Sequence, residues 1–232
     1  MRGIYAIADL GALDRMRLDP EKFVEAVLVG GVQAVQLRGK RVDGARMLGL
    51  LRRLVPRAKE HGVPLYANDR ADIAILAGCD GVHVGQSDLA PSEVRSLADR
   101  LGVTLAIGLS THDETQIDRA LAEPIDYAAV GPVFGTVSKE HPDPVLGLDR
   151  ALAIGRRARA KRDGLPLVAI GGIGIDALPK LAGAFDAVAV ISALLPTSID
   201  YADVEARARA MSRAFAKATE VARPSTPPRE SA

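Results

Sequence analysis

Short apolar, β-prone runs alternate with longer helical patterns from one end of this 232-residue chain to the other. That alternation constrains the fold more than any other feature. Strand-like runs occupy residues 4–9, 34–38, 64–68, 81–84, 104–108, 127–131, 167–171 and 187–191. Between them, residues 20–29, 45–61, 91–101 and 114–122 carry apolar side chains at helical spacing. Asp19-Pro20-Glu21 and Ala90-Pro91-Ser92-Glu93 are helix-start signals, with proline early and acid in the first turn. The strands are continuous apolar runs rather than alternating ones, as expected of parallel strands covered on both faces. An acid entering a strand recurs at Asp80-Gly81-Val82-His83-Val84, Asp126-Tyr127-Ala128-Ala129-Val130 and Asp186-Ala187-Val188-Ala189-Val190. We read this as the mark of a repeated strand–helix unit. Eight strands and eight helices in roughly 220 residues match the compact end of a (β/α)8 TIM barrel with a parallel eight-stranded sheet. A doubly wound open sheet is the competitor, but no Gly-x-Gly-x-x-Gly follows the first strand. The sequence predicts a single α/β barrel.

The pattern stops after Thr219, so the barrel is assigned to residues 1–220 and a Pro/Ser-rich, disordered tail to residues 221–232. The last helix is expected over residues 201–218, its Arg/Ala outer side a solvated face. Lys plus Arg number 30 and Asp plus Glu 29, a balance with no electrostatic footprint for nucleic acid or an anionic membrane. Aromatic residues are 3% with no tryptophan, which leaves almost no stacking platform for single strands. The lone Cys79 forms no internal disulfide, and no Cys/His cluster suggests structural zinc. The N-terminus lacks the apolar run of a signal peptide, and the other apolar runs fall short of the roughly 18 residues of a membrane span. The expectation is a soluble, cytoplasmic protein whose partners are small molecules; the reading also admits a homo-oligomer.

In a (β/α)8 barrel the chemistry sits at the C-terminal ends of the strands. Here those ends carry Gln36-Leu37-Arg38-Gly39-Lys40, Asn68-Asp69-Arg70, Gly85-Gln86-Ser87-Asp88, Ser110-Thr111-His112, the 131–139 loop, Gly171-Gly172-Ile173-Gly174 and Ile191-Ser192. The N-terminal ends offer nothing comparable, and the asymmetry points to an enzyme. Asp69 and Asp88 close adjacent strands, so two hard oxygen ligands should converge as Mg²⁺ requires, although an Asp in either place also suits a helix N-cap. Gln36, Arg38 and Lys40 share one strand face at i, i+2, i+4 and combine an amide, a planar fork and a point charge suited to phosphate groups. Gly171-Gly172-Ile173-Gly174 ends a strand, and Asp176-Ala177-Leu178 should begin a helix, so small residues let backbone N–H groups approach an anion, with Ser192 completing the cup. Two anion sites, one with a metal, suggest two phosphorylated substrates joined between them.

At these motifs, taken in order on successive strands, the chain resembles the thiamine phosphate synthase family over nearly all of residues 3–218. The resemblance rests on the Gln36 to Lys40 run, Asn68-Asp69-Arg70, Gly81 to Leu89, Gly131-Pro132-Val133-Phe134, Ile170-Gly171-Gly172-Ile173 and Ile191-Ser192. It implies a transferase joining a pyrimidine methyl diphosphate to a thiazole phosphate, with diphosphate released and Mg²⁺ as cofactor. It also implies that Gln36, Leu37, Arg38, Gly39, Lys40, Asn68, Ser110 and Lys139 bind the pyrimidine diphosphate. Arg38, Lys40, Ser110 and Lys139 would be the catalytic set. Asp69 and Asp88 would hold Mg²⁺. Thr136, Val137, Ser138, Gly172, Ile191 and Ser192 would bind the thiazole phosphate.

Two departures lie in the loop after the sixth strand. Where the family has Pro-Thr-x-Thr-Lys, this chain has Gly135-Thr136-Val137-Ser138-Lys139. Ser138 keeps the hydroxyl, and Gly135 loosens the loop. His112 raises an alternative, because a related thiazole tautomerase resembles this family and uses a histidine there; that barrel lacks the paired acids. A non-catalytic phosphate-ligand binder on the same barrel is a third reading. His83 and Cys79 are assigned to the core, with no chemical role.

Overall fold

Eight parallel strands pair in sequence order and the last pairs with the first, so the sheet closes without an open edge. They are β1 (Gly3–Asp9), β2 (Ala34–Arg38), β3 (Leu65–Asn68), β4 (Gly81–Val84), β5 (Ala106–Thr111), β6 (Tyr127–Val130), β7 (Leu167–Ile170) and β8 (Ala187–Val190). The helices between and after them are α1 (Leu10–Arg15), α2 (Pro20–Val29), α3 (Gly44–Glu60), α4 (Ala71–Ala77), α5 (Pro91–Arg100), α6 (Glu114–Ala120), α7 (Leu148–Lys161), α8 (Leu178–Leu181) and α9 (Tyr201–Ala222). This computed structural model describes residues 1–135 and 144–222. The (β/α)8 barrel read from the sequence is the fold observed. No helix among the described residues is long and apolar enough to cross a membrane.

The apolar strands serve two cores, because neighbouring residues point to opposite faces. Val35, Leu37, Leu65, Val82 and Ile107 face outward and pack with helical Phe23, Leu51, Leu54 and Ile154. Tyr5, Ile7, Tyr66, Tyr127, Val168 and Ala189 fill the barrel interior. Two strand glycines, one opening β4 and one inside β5, make room for that inner layer. Gly81 stands beside Tyr66 and Gly108 beside Tyr127 across the sheet. A Cβ on Gly81 would lie 2.4 Å from Tyr66 Cε1, and one on Gly108 2.0 Å from Tyr127 Cζ.

The recurring acid has a structural role at the N-terminal end of the barrel. Asp80, Asp126 and Asp186 each precede an even-numbered strand and accept a backbone N–H at the start of the strand before it. The distances are 2.8 Å from Leu65 N, 2.7 Å from Ile107 N and 2.9 Å from Leu167 N. Gln33 does the same for β1, its Oε1 accepting Ile4 N at 2.6 Å. Four side-chain clasps thus tie the strands in pairs, on the face where barrels invest in stability rather than chemistry.

Three segments differ from the sequence reading. The fifth strand is Ala106–Thr111 rather than residues 104–108, because Gly108 lies mid-strand under the Tyr127 ring and does not end it. The last helix continues to Ala222. There Thr219 donates its hydroxyl to the Phe215 carbonyl at 2.8 Å, which lets a β-branched residue sit inside the helix. The helix expected at Asp176 is a 3-10 turn, Ile175–Ala177, followed by the four-residue α8. Residues 223–232, most of the expected tail, lie outside the described residues.

Candidate active site

The C-terminal strand ends surround one cavity of about 380 Å³. Gln36, Arg38 and Lys40 reach it from β2 and its loop, Asn68 and Asp69 from β3, Asp88 from the β4 loop and Ser110 from β5. Gly172, Ile191 and Ser192 line it from the loops after β7 and β8. Leu37 and Gly39 do not. The strand alternation that turns Gln36 and Arg38 inward sends Leu37 into the outer core, and Gly39 packs against Met47 and Leu10. Thr136, Val137, Ser138 and Lys139 lie outside the described residues.

Two of the cations are already aimed by acids. The Arg38 guanidinium donates to the carboxylate of Asp9, a buried residue at the end of β1. The other Asp9 oxygen accepts Ala12 N at 2.9 Å and so caps α1. Asp9 drew no assignment from the sequence because its partner is 29 residues away and appears only through the β1–β2 register. Lys40 Nζ lies 2.7 Å from Asp69 Oδ2.

Neither metal candidate caps a helix. The residues at the cap positions of α4 and α5 are Arg70 and Ala90. Asp69 instead occupies the left-handed region at φ +63°, which Asp tolerates better than most residues and which clusters at functional sites. Asp88 Oδ2 accepts Gly85 N at 2.7 Å and folds its loop back on itself. Burial raises the Asp69 carboxyl above its ordinary value; the Lys40 ammonium pulls it down, and the Asp88 carboxylate beside it pushes it up. Two crowded carboxylates are a donor set that fits Mg²⁺. Among the described residues no group of three or more His, Cys, Asp or Glu forms, so such an ion would keep positions for water and phosphate oxygens.

The glycines after β7 answer to geometry as well as to any anion. Gly171 and Gly172 both take positive φ, +103° and +63°. A Cβ on Gly172 would lie 2.3 Å from the Gly135 carbonyl oxygen, so the loop after β6 packs directly on this turn. Phe134 N donates to the Gly171 carbonyl at 3.0 Å. Ser192 opens a 3-10 turn, Ser192–Leu194, at the end of β8.

Both histidines named from the sequence line the cavity. His112 Nδ1 donates to the Gly131 carbonyl at 2.6 Å, tying the ends of β5 and β6, and its backbone N–H is held by Gln116 Oε1 at 2.8 Å. His83 is buried as expected, yet its ring bridges Tyr127 Oη and Ser110 Oγ, each at 2.8 Å. Sequence spacing gives no sign of this, since the contact joins three strands through their register. Cys79 is a buried core residue, its thiol pushed up to about 12 by burial and by Asp80.

Comparison with known proteins identifies the family. The family model described as thiamine monophosphate synthase matches residues 4–194. The chain is similar to the thiamine-phosphate synthase of Koribacter versatilis (strain Ellin345), 45% identical over 175 residues, 75% of this chain and 78% of that protein. It is similar to that of Anaeromyxobacter dehalogenans (strain 2CP-C), 40% identical over 209 residues, 90% of this chain and 88% of that protein. Among solved structures, thiamine phosphate pyrophosphorylase from Pyrococcus furiosus superposes with a TM-score of 0.77 at 25% identity, covering 93% of this chain and 96% of that one. The chain belongs to the thiamine monophosphate synthase family.

Proposed function

We propose that the polar rim of this barrel carries out thiamine-phosphate synthesis by joining a pyrimidine methyl diphosphate to a thiazole phosphate. The observation that carries the reading is convergence: Gln36, Arg38, Lys40, Asn68, Asp69, Asp88 and Ser110, from four strand ends, line one cavity together with Gly172 and Ser192. The C–O bond to diphosphate breaks, and its electron pair leaves with the diphosphate. The thiazole nitrogen lone pair then forms the new C–N bond to the methylene carbon. Charge gathers on the departing oxygens, so donors already aimed there lower the barrier. Arg38, fixed by Asp9, is such a donor, and Lys40 adds a second positive charge at the rim. A Mg²⁺ held by Asp69 and Asp88 would supply further neutralisation of the diphosphate when bound. Lys139 is assigned to the same group. Thr136, Val137, Ser138, Gly172, Ile191 and Ser192 are assigned to the thiazole phosphate. The packed barrel interior, with Tyr5, Ile7 and Val168, closes the cavity from below, so solvent reaches the cationic carbon from the rim alone.

The tautomerase-like alternative would run through His112 and dispense with the acids. Two variants separate them. For a synthase, His112→Asn keeps most coupling activity while Asp88→Ala loses it. The reverse pattern, a dead His112→Asn beside an active Asp88→Ala, would overturn the assignment.

A further inference from the structure

Four hydrogen bonds run in series through the barrel interior. Gln36 Nε2 donates to Tyr5 Oη at 2.8 Å; Tyr5 Oη and Tyr127 Oη are 3.1 Å apart; Tyr127 Oη lies 2.8 Å from His83 Nδ1; and His83 Nε2 lies 2.8 Å from Ser110 Oγ. The chain of contacts crosses five strands and ends at a residue lining the cavity. Gln36, Tyr5 and Tyr127 are no more than 2% exposed and His83 only 7%, so each polar hydrogen needs an acceptor within the protein.

That requirement gives the series a direction. The Gln36 amide donates to Tyr5 Oη, so the Tyr5 hydrogen must go on to Tyr127; pointing it elsewhere would leave a buried O–H unpaired. Tyr127 has then accepted one bond, and its own hydrogen goes to His83 Nδ1. A nitrogen that accepts carries no hydrogen in the neutral imidazole, which puts the ring hydrogen on Nε2. Nε2–H donates to Ser110 Oγ, and the one hydrogen of the Ser110 hydroxyl is left for the cavity. Burial holds both phenols in their protonated form, Tyr5 and Tyr127 alike, which keeps the series intact. Gln86, in the loop after β4, donates its Nε2 to the Ser110 carbonyl at 2.6 Å and fixes the Ser110 backbone.

We propose that Gln36, Tyr5 and Tyr127 lock His83 as the Nε2–H tautomer, and that His83 thereby presets Ser110 as a hydrogen-bond donor to an acceptor atom of the bound substrate. His83 is a positioning residue, not a proton carrier in the reaction. The substrate atom facing the Ser110 hydrogen must then offer a lone pair, such as a ring nitrogen or a phosphate oxygen. The assignment of that substrate as the pyrimidine diphosphate rests on the function proposed above.

The tautomer is read directly from long-range proton–nitrogen correlations of the histidine side chains in the intact, substrate-free protein. His83→Gln identifies the signals by their loss. The expected result is a bare Nδ1 and a protonated Nε2 at neutral pH; an Nδ1–H tautomer or a doubly protonated ring overturns the proposal. Tyr127→Phe removes the hydroxyl that feeds Nδ1. It should release the tautomer preference and raise KM for the pyrimidine diphosphate on the order of tenfold, with KM for the thiazole phosphate within about twofold. An unchanged tautomer and unchanged KM in a folded Tyr127→Phe protein also overturn it. Because the tautomer is read without substrate, its outcome is separate from whether the chain couples the two substrates.

Discussion

Lys40 and Asp88 act on the Asp69 carboxyl in opposite senses: the Lys40 ammonium 2.7 Å from Asp69 Oδ2 favours its charge, and the Asp88 carboxylate opposes it. A divalent cation would relieve that crowding. Chelating Mg²⁺ in a coupling assay should therefore abolish turnover, and Asp69→Ala or Asp88→Ala should each cost at least ~10²-fold in kcat. Full turnover in excess chelator would remove the metal from the mechanism.

Asp9 orients Arg38 and caps α1 with the same carboxylate. Asp9→Asn can keep the cap through its amide oxygen but loses the negative charge that faces the Arg38 guanidinium. We expect kcat/KM for the pyrimidine diphosphate to fall on the order of tenfold, the range for one charge-assisted hydrogen bond. Thermal melts should change little. A large loss of stability with unchanged kinetics in the folded fraction would make Asp9 a purely structural residue.

The clasps at the other end of the barrel should behave oppositely. Asp186 Oδ2 accepts Leu167 N at 2.9 Å and pairs with Arg159 at 2.9 Å. Asp186→Ala leaves a strand N–H without its acceptor and should cost about 1–3 kcal/mol in urea unfolding. Activity per folded molecule should stay at the parent level, because the site is at the opposite face.

Three of the chain's 4 tyrosines line the barrel interior, and burial raises all three phenols: Tyr66 to about 12, and Tyr5 and Tyr127 well above the ordinary value. The folded state then holds protons that the unfolded chain releases from an ordinary value of 10.0 upward. Stability is full below that value and falls as pH rises from about 10 through about 12 and beyond. Tyrosinate absorbance followed with circular dichroism should show these rings ionising only as the fold is lost. Ionisation of all the tyrosines near pH 10 with the fold intact would contradict the buried layer.

The barrel was legible because parallel strands covered on both faces leave continuous apolar runs, and the polar strand ends stood out against them. Three of the four clasps were visible as a recurring acid; the fourth was hidden because Gln33 does the same work with an amide. Gly108 misled in the opposite way. A glycine at the end of an apolar run reads as a turn, and only the Tyr127 ring packed on it explains a strand that passes through. The roles of Asp9 and His83 depend on partners fixed by strand register, 29 and 27 residues distant, so no local spacing announces them. The assignments at Thr136, Val137, Ser138 and Lys139 rest on the resemblance, since those residues lie outside the described ones.

The central claim is that this barrel couples two phosphorylated substrates at its C-terminal rim. Incubating the full chain with the pyrimidine diphosphate, the thiazole phosphate and Mg²⁺, and weighing the products by mass spectrometry, tests it most directly. The account predicts thiamine phosphate and diphosphate formed in equal amounts, with neither appearing when either substrate is left out. An unaltered mixture, or a thiazole changed in form with no C–N coupling, would contradict it.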